Sequence, residues 1–304
     1  MGSLDSSRFL FWMALLLAAW VPLPAGACGV MPQAWVQESR NLLNQQQWED
    51  ARALCEKHLT QGSPSEQAEA HGCLASVALS RAAGTGVATN GRGQTFIREV
   101  FRGEGVDEAL NHVTQAIHLD PARLCLHHSR MEIAIMAERV SVLPAQLDES
   151  MDLYGSQHPD TVNDWLNPGF MLFEDGWLKP ALDYFKVMEK RFPNDHRVVA
   201  NIGGVLMALE KDEEALPYVK RAVELAPKDP INTWNLGRLY DFMDRNDEAE
   251  PYYLRGISLE TNRDKKKLLQ CTYAGFLETK RKDLKKACSL QQKTCPNEKQ
   301  TACR

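Results

Sequence analysis

Five side chains able to ligate a metal fall between positions 112 and 128: His112, His118, Cys125, His127 and His128. Imidazole and thiolate suit zinc or copper, so the window suggests a metal-binding protein or an enzyme. On a helix, however, adjacent residues point about 100° apart, so His127 and His128 cannot both face one ion. The plainer reading is a set of surface histidines with a core or disulfide cysteine. Elsewhere the chemistry is sparse. No phosphate loop, G-x-S-x-G, H-E-x-x-H or C-x-x-C-H pattern occurs, and "GRGQTF" lacks the lysine of a phosphate cradle. Glu213 and Glu214 open a helix, where carboxylates favour the dipole without any acid-base role. These residues predict a protein that is not an enzyme and binds no cofactor.

The other reactive groups are cysteines, eight in 304 residues. They follow an N-terminus built for targeting. Arg8 precedes an apolar run, Phe9 to Val21, and Ala25-Gly26-Ala27 supplies a small-x-small cleavage site. The run is shorter than the roughly 20 residues a membrane span needs. Residues 1–27 are therefore predicted to be a signal peptide, and the mature chain to be periplasmic or secreted. "AGAC" resembles a bacterial lipobox, with Ala25 where leucine is usual. That resemblance implies lipidation at Cys28 and attachment to a membrane. "MGSLDS" also fits a myristoylation pattern at Gly2.

In an oxidising compartment the remaining cysteines are expected to pair. Cys55 and Cys73 fall on adjacent antiparallel helices and form one candidate pair. Cys271, Cys288, Cys295 and Cys303 cluster at the C-terminus, with their connectivity open. Cys288 and Cys295 cannot bond within one straight helix, because seven residues rise about 10 Å against a Cα limit near 7 Å. The helix must end first, and Pro296 marks an end nearby.

The elements that position these groups repeat. Ala181, Ala215 and Ala249 are spaced by 34. Each is followed four residues on by Phe185, Val219 or Tyr253, and three beyond that by Met188, Ala222 or Gly256. Twelve residues before each alanine stands Gly169, Gly203 or Gly237. Small residues at those two places let paired helices approach closely, and apolar neighbours fill the space beside them. The pattern resembles the tetratricopeptide repeat, W-x2-L-G-x2-Y then A-x3-F then P in 34 residues. Trp165, Gly169, Ala181, Phe185 and Pro193 match in one unit; Leu236, Gly237, Tyr240, Ala249 and Tyr253 match in another. Weaker copies centre on Ala51, Ala109 and Ala287.

The resemblance implies an all-α, right-handed superhelical solenoid of about seven antiparallel hairpins over residues 28–304. Its repeats run 33–64, 66–121, a degenerate 122–160, 161–195, 196–229, 230–263 and a basic capping unit 264–304. Asp212 and Asn246 are expected to cap two second helices. Residues 84–105 carry six glycines without a sustained period and interrupt the second repeat. They read as a mobile connector or, through Arg92, Arg98, Arg102, Phe96 and Phe101, as a partner-contacting loop.

Arrays of this family bind extended peptides or proteins on an inner wall made by the first helices. By resemblance that wall holds Asn163, Leu166 and Phe170; Arg197, Asn201 and Met207; and Ile231, Trp234, Asn235, Arg238 and Phe242. Asn201 and Asn235 would bond a ligand backbone, and Arg197 and Arg238 would meet a carboxylate. Trp234 and Phe242 would be aromatic anchors, although Trp234 equally suits packing between repeats. No counterpart exists for the lysine pair of the family's peptide-carboxylate clamps. The function implied is a protein-binding scaffold, in cell-envelope or secretion-complex assembly by analogy; the alternative outside that class is a disulfide-stapled structural protein without a ligand.

Net charge is −5, which speaks against nucleic acid as a partner. The charge is uneven. From Arg263 to Arg304 twelve lysines and arginines face four acids, leaving −13 on the rest of the chain. That stretch reads as a solvated polar cap or as a docking face for an anionic partner or lipid surface.

Overall fold

The computed structural model describes residues 34–89, 95–101, 103–157, 161–295 and 301–303. The signal-peptide and lipidation expectations lie outside them, as do Arg92 and Arg102. Among the described residues no helix is long and apolar enough to cross a membrane. The fold is an all-α, tetratricopeptide-like solenoid whose helices divide into two compact units meeting between Met188 and Glu189.

The first unit contains α1 (Ala34–Asn44), α2 (Trp48–Gln61), α3 (Pro64–Ala82), α4 (Glu104–Leu119), α5 (Leu124–Met136), α6 (Leu143–Gly155), α7 (Val162–Glu174) and most of α8 (Leu178–Arg191). Trp35, Ala51, Cys55, Ala70, Cys73 and Val77 join α1, α2 and α3 in one core cluster. A second cluster puts Ala68, Ala75 and Ala78 of α3 against Val106, Ala109, Val113 and Ala116 of α4. Alanine on both faces lets those helices pack at short range.

Between α3 and α4 the chain departs from its expectation. Instead of an irregular connector, Ala83–Thr89 (β1) and Thr95–Phe101 (β2) pair as an antiparallel ribbon with Ala83 opposite Phe101. Val87, Thr95, Phe96, Ile97 and Val100 are strand-forming residues, and the glycines around them hide that signal from a search for helical period.

The second unit contains α9 (His196–Ala208), α10 (Asp212–Leu225), α11 (Pro230–Phe242), α12 (Asn246–Leu259), α13 (Arg263–Phe276) and α14 (Leu284–Thr294). Close approach within the regular pairs explains the repeated glycine. A Cβ added at Gly203 would sit 2.6 Å from Val219 Cγ2, and one at Gly169 2.6 Å from Phe185 Cζ. At Gly237 it would meet the Tyr253 ring and backbone nitrogen at 3.0 Å.

The turns inside the pairs repeat as well. Gly176, Glu210 and Asp244, 34 apart, adopt φ of 77°, 59° and 56°. After each, the next amide donates back to the helix: Trp177 to Leu172, Lys211 to Leu206 and Arg245 to Tyr240. This left-handed stop satisfies the orphan carbonyls of a helix end. It also corrects the capping expectation. The chain leaves the stop directly into the next helix, so Asp212 and Asn246 are already its first residues, and Lys211 and Arg245 take the cap position without a side-chain bond. In α9, α11 and α13, the first helices of their pairs, side-chain caps are present. Asp195 accepts from the Arg197 amide, Asp229 from that of Asn232, and Asn262 from those of Asp264 and Lys265.

Two arginines on second helices reach back to the turn that leads into their own pair. Arg221 donates to the Pro193 carbonyl at 2.8 Å, and Arg255 to that of Pro227 at 2.9 Å, each reaching 28 residues back.

Candidate functional site

The His112–His128 window is dispersed. His127 is fully buried on α5, its Nε2 2.9 Å from the Pro121 carbonyl, and burial lowers its pKa to about 4. His128 bonds a different acceptor, the Asp164 carbonyl, again with burial lowering its pKa. Both rings meet the edge or face of Trp165 at about 6 Å. Cys125 is disulfide-bonded and therefore no thiolate ligand. His112 instead lies 2.9 Å, Nδ1 to Nδ1, from His71 on α3, a partner 41 residues away that the window could not contain. Among the described residues no group of three or more His, Cys, Asp or Glu is placed to hold an ion.

Disulfides join Cys55 to Cys73, Cys271 to Cys295 and Cys288 to Cys303. The first links α2 to α3. Helix α14 ends at Thr294, one residue before Cys295, which turns back to α13.

The residues assigned to an inner wall fall on first helices. In the first unit, Asn163 on α7 is exposed, and Phe170 is half-buried with its ring 6.1 Å from that of Phe185. In the second unit, α9 carries Arg197, Asn201 and Met207, and α11 carries Trp234, Asn235, Arg238 and Phe242.

Three of these do not take the roles expected. Trp234 is fully buried and packs on its own hairpin: its ring lies 4.4 Å from that of Tyr253, and its Cβ fills the space beside Gly256. Met207 is buried too. Arg197 grips Asp195 with two nitrogens, Nε at 3.0 Å and Nη2 at 2.8 Å, so a ligand carboxylate would compete with an internal one. Burial alone would raise the Asp195 pKa, but the hydrogen bonds from Arg197 outweigh it and hold the carboxyl below its ordinary range.

What remains is a polar row. Asn201 is half-buried; Asn235, 34 residues on, is 5% exposed, and its Oδ1 receives no hydrogen bond among the described residues. Asn235 lines a crevice with Ala200, Gly204, Val219, Ala222 and Asn232. In the same crevice Asn232 donates to the Ala222 carbonyl at 3.2 Å and bonds His196 Nδ1 at 3.0 Å. Arg238 lies with its guanidinium 5.2 Å over the Phe242 ring, which leaves Phe242, half-buried, as the aromatic of this row nearest to solvent. Neither Asn232 nor the Arg221 and Arg255 bonds were anticipated, although Arg221 and Arg255 stand 34 apart like the matched positions.

A tetratricopeptide-repeat family model matches residues 196–229 and 234–263, so the chain carries repeats of that kind in α9 to α12. The C-terminal part of a TPR repeat-containing protein from Cytophaga hutchinsonii is similar in structure, with a TM-score of 0.51 at 14% identity over 88% of this chain and 99% of that one. MamA from Desulfovibrio magneticus has a TM-score of 0.37 at 17% identity, over 53% of this chain and 89% of that one. YrrB, described as a TPR protein with an unusual peptide-binding site, has 0.42 at 18%, over 63% and 96%. Such identities speak to fold alone. A comparison with curated proteins finds no match.

Proposed function

We propose that the protein is an exported, non-catalytic scaffold that binds an extended peptide segment of a partner along α9 and α11. One observation carries the reading: Asn235 holds a buried amide oxygen that receives no hydrogen bond among the described residues, within a stretch that matches the repeat family. Buried acceptors are nearly always satisfied, and a peptide N–H is a donor of the right kind. Asn201 supplies a second amide one period earlier. Export is supported by the N-terminal pattern and by three disulfides among the described residues, which persist in oxidising compartments.

Selection of peptides from a displayed library on the full chain, followed by affinity measurement on Asn201→Ala and Asn235→Ala, tests the binding. A loss of about tenfold per amide, with melting temperature held, is the expected outcome. Peptides that bind both variants as tightly as the parent would remove α9 and α11 from the interface. Intact mass from the native host tests export. The expected mature chain begins at Cys28, bare or diacylated; one that retains Met1 or Gly2 would overturn it.

A further inference from the structure

We infer that the terminal hairpin carries a pocket for an anionic amphiphile, a single molecule with an apolar body and an acidic head group. A cavity of about 560 Å³ opens between α12, α13 and α14. That volume lies within the range of small-ligand sites, roughly 300–1,000 Å³. Leu254 and Ile257, one turn apart on α12, line it together with Tyr273 of α13 and Leu290 of α14. Leu254 is 46% exposed, an apolar side chain left uncovered on the cavity wall.

The rim has one dominant sign. Lys285 and Lys293 of α14 are exposed lining residues, and neither has a carboxylate partner among the described residues. The other charges nearby are already committed. Lys286 lies 3.2 Å from the Tyr273 hydroxyl and 3.8 Å from Glu250, and Asp283 caps α14 by accepting from the Lys286 amide. Lys280 and Arg281 are likewise held by Asp244, Asp247 and Glu250 of the preceding hairpin. Much of the basic stretch is thus internally matched, and the two lysines at the cavity are left as cations facing an apolar interior. An anionic head on an apolar body satisfies both features. The acidic remainder of the chain disfavours the same ligand elsewhere.

The walls are fixed before a ligand arrives. Cys271–Cys295 ties α13 to the end of α14, and Cys288–Cys303 ties α14 to the segment after it. A preformed site loses less conformational freedom on binding. A concave cavity of this size takes one molecule rather than a bilayer or a docked helix.

The test is calorimetric titration of the full chain, disulfides intact, with dodecanoate below its micellar concentration. Dodecyltrimethylammonium and 1-dodecanol exchange the head group, and phosphatidylglycerol vesicles supply the bilayer arm. One dodecanoate per chain is expected, with about tenfold weaker binding in Lys285→Glu/Lys293→Glu. Leu254→Gln is expected to weaken it as well, and the cationic amphiphile to bind at least about tenfold less tightly. Both lysines are exposed, so the variant should keep its circular dichroism and melting temperature; Lys285→Gln/Lys293→Gln gives the same reading if charge reversal unfolds the hairpin. Absence of dodecanoate binding, equal affinity for all three head groups, undiminished binding in the lysine variants, or binding to vesicles without binding of the monomer would each overturn the assignment.

Discussion

Between positions 126 and 270 the chain holds no cysteine, and from α7 to α12 its helix pairs follow one another at 34 residues. On either side the period decays and disulfides appear: Cys55–Cys73 in the early helices, Cys271–Cys295 and Cys288–Cys303 in the last pair. The regular stretch is held by contacts that recur. Glycine lies under an aromatic or valine, a left-handed turn ends each first helix, and an arginine reaches the preceding proline carbonyl. The outer pairs keep the left-handed turn, at Gln46 and Lys282, but lack the rest of that set, and their disulfides restrict the unfolded chain. Two sources of stability, native packing and unfolded-state entropy, are thus divided along one sequence.

Reduction should expose the division most clearly. Each bridge closes a loop of 15 to 24 residues and is worth about 2–4 kcal/mol. Segment-resolved hydrogen exchange with and without reductant should show faster opening in α2–α3 and α13–α14, with α9–α12 unchanged. Uniform acceleration would dissolve the distinction.

Acid should divide the molecule in a second way. The folded-state pKa of His127 lies below its unfolded value, so the unfolded chain binds the extra proton. Its contribution is present above about pH 6.5 and is lost as pH falls toward 4, amounting to about 3 kcal/mol. Exchange in α5–α7 should accelerate over that window, and His127→Gln should flatten the dependence.

Within the regular stretch, Gly203→Ala drives a methyl against Val219 and should cost about 1–3 kcal/mol, read as a lower denaturant midpoint. The smallest effect runs the other way. Glu210→Gly relieves a left-handed backbone at the position where Gly176 stands one period earlier, and should add about 0.5–1 kcal/mol.

The sequence exposes what recurs and hides what is joined across distance. Gly169, Gly203 and Gly237 were legible because three copies of one contact share one spacing. Asp195 and Asp229 share that spacing too, yet attention to acids at second-helix starts pointed to Asp212 instead. His71 could not be connected to His112, because the bond depends on how α3 and α4 align. Trp234 was legible as either an anchor or a packing residue, and the pattern could not decide, since it names a face without naming what Tyr253 and Gly256 do to it. The cavity beside Leu254 was foreshadowed only by a run of lysines, and which of them are already neutralised is a matter of three dimensions.

The β1–β2 ribbon has a consequence for the arithmetic of the chain. Ala51 and Ala109 stand 58 residues apart, 24 more than one period, yet α3 and α4 still pack as one pair. Ala83 lies opposite Phe101, so the backbone leaves the helix pair and re-enters it at neighbouring points, about 5 Å apart. An excursion that returns to its origin adds length without adding displacement, and the helices downstream keep their phase. The ribbon is therefore a port: residues 84–100 can be shortened to a tight turn or exchanged for a foreign cassette, and α4 would be delivered to the same place.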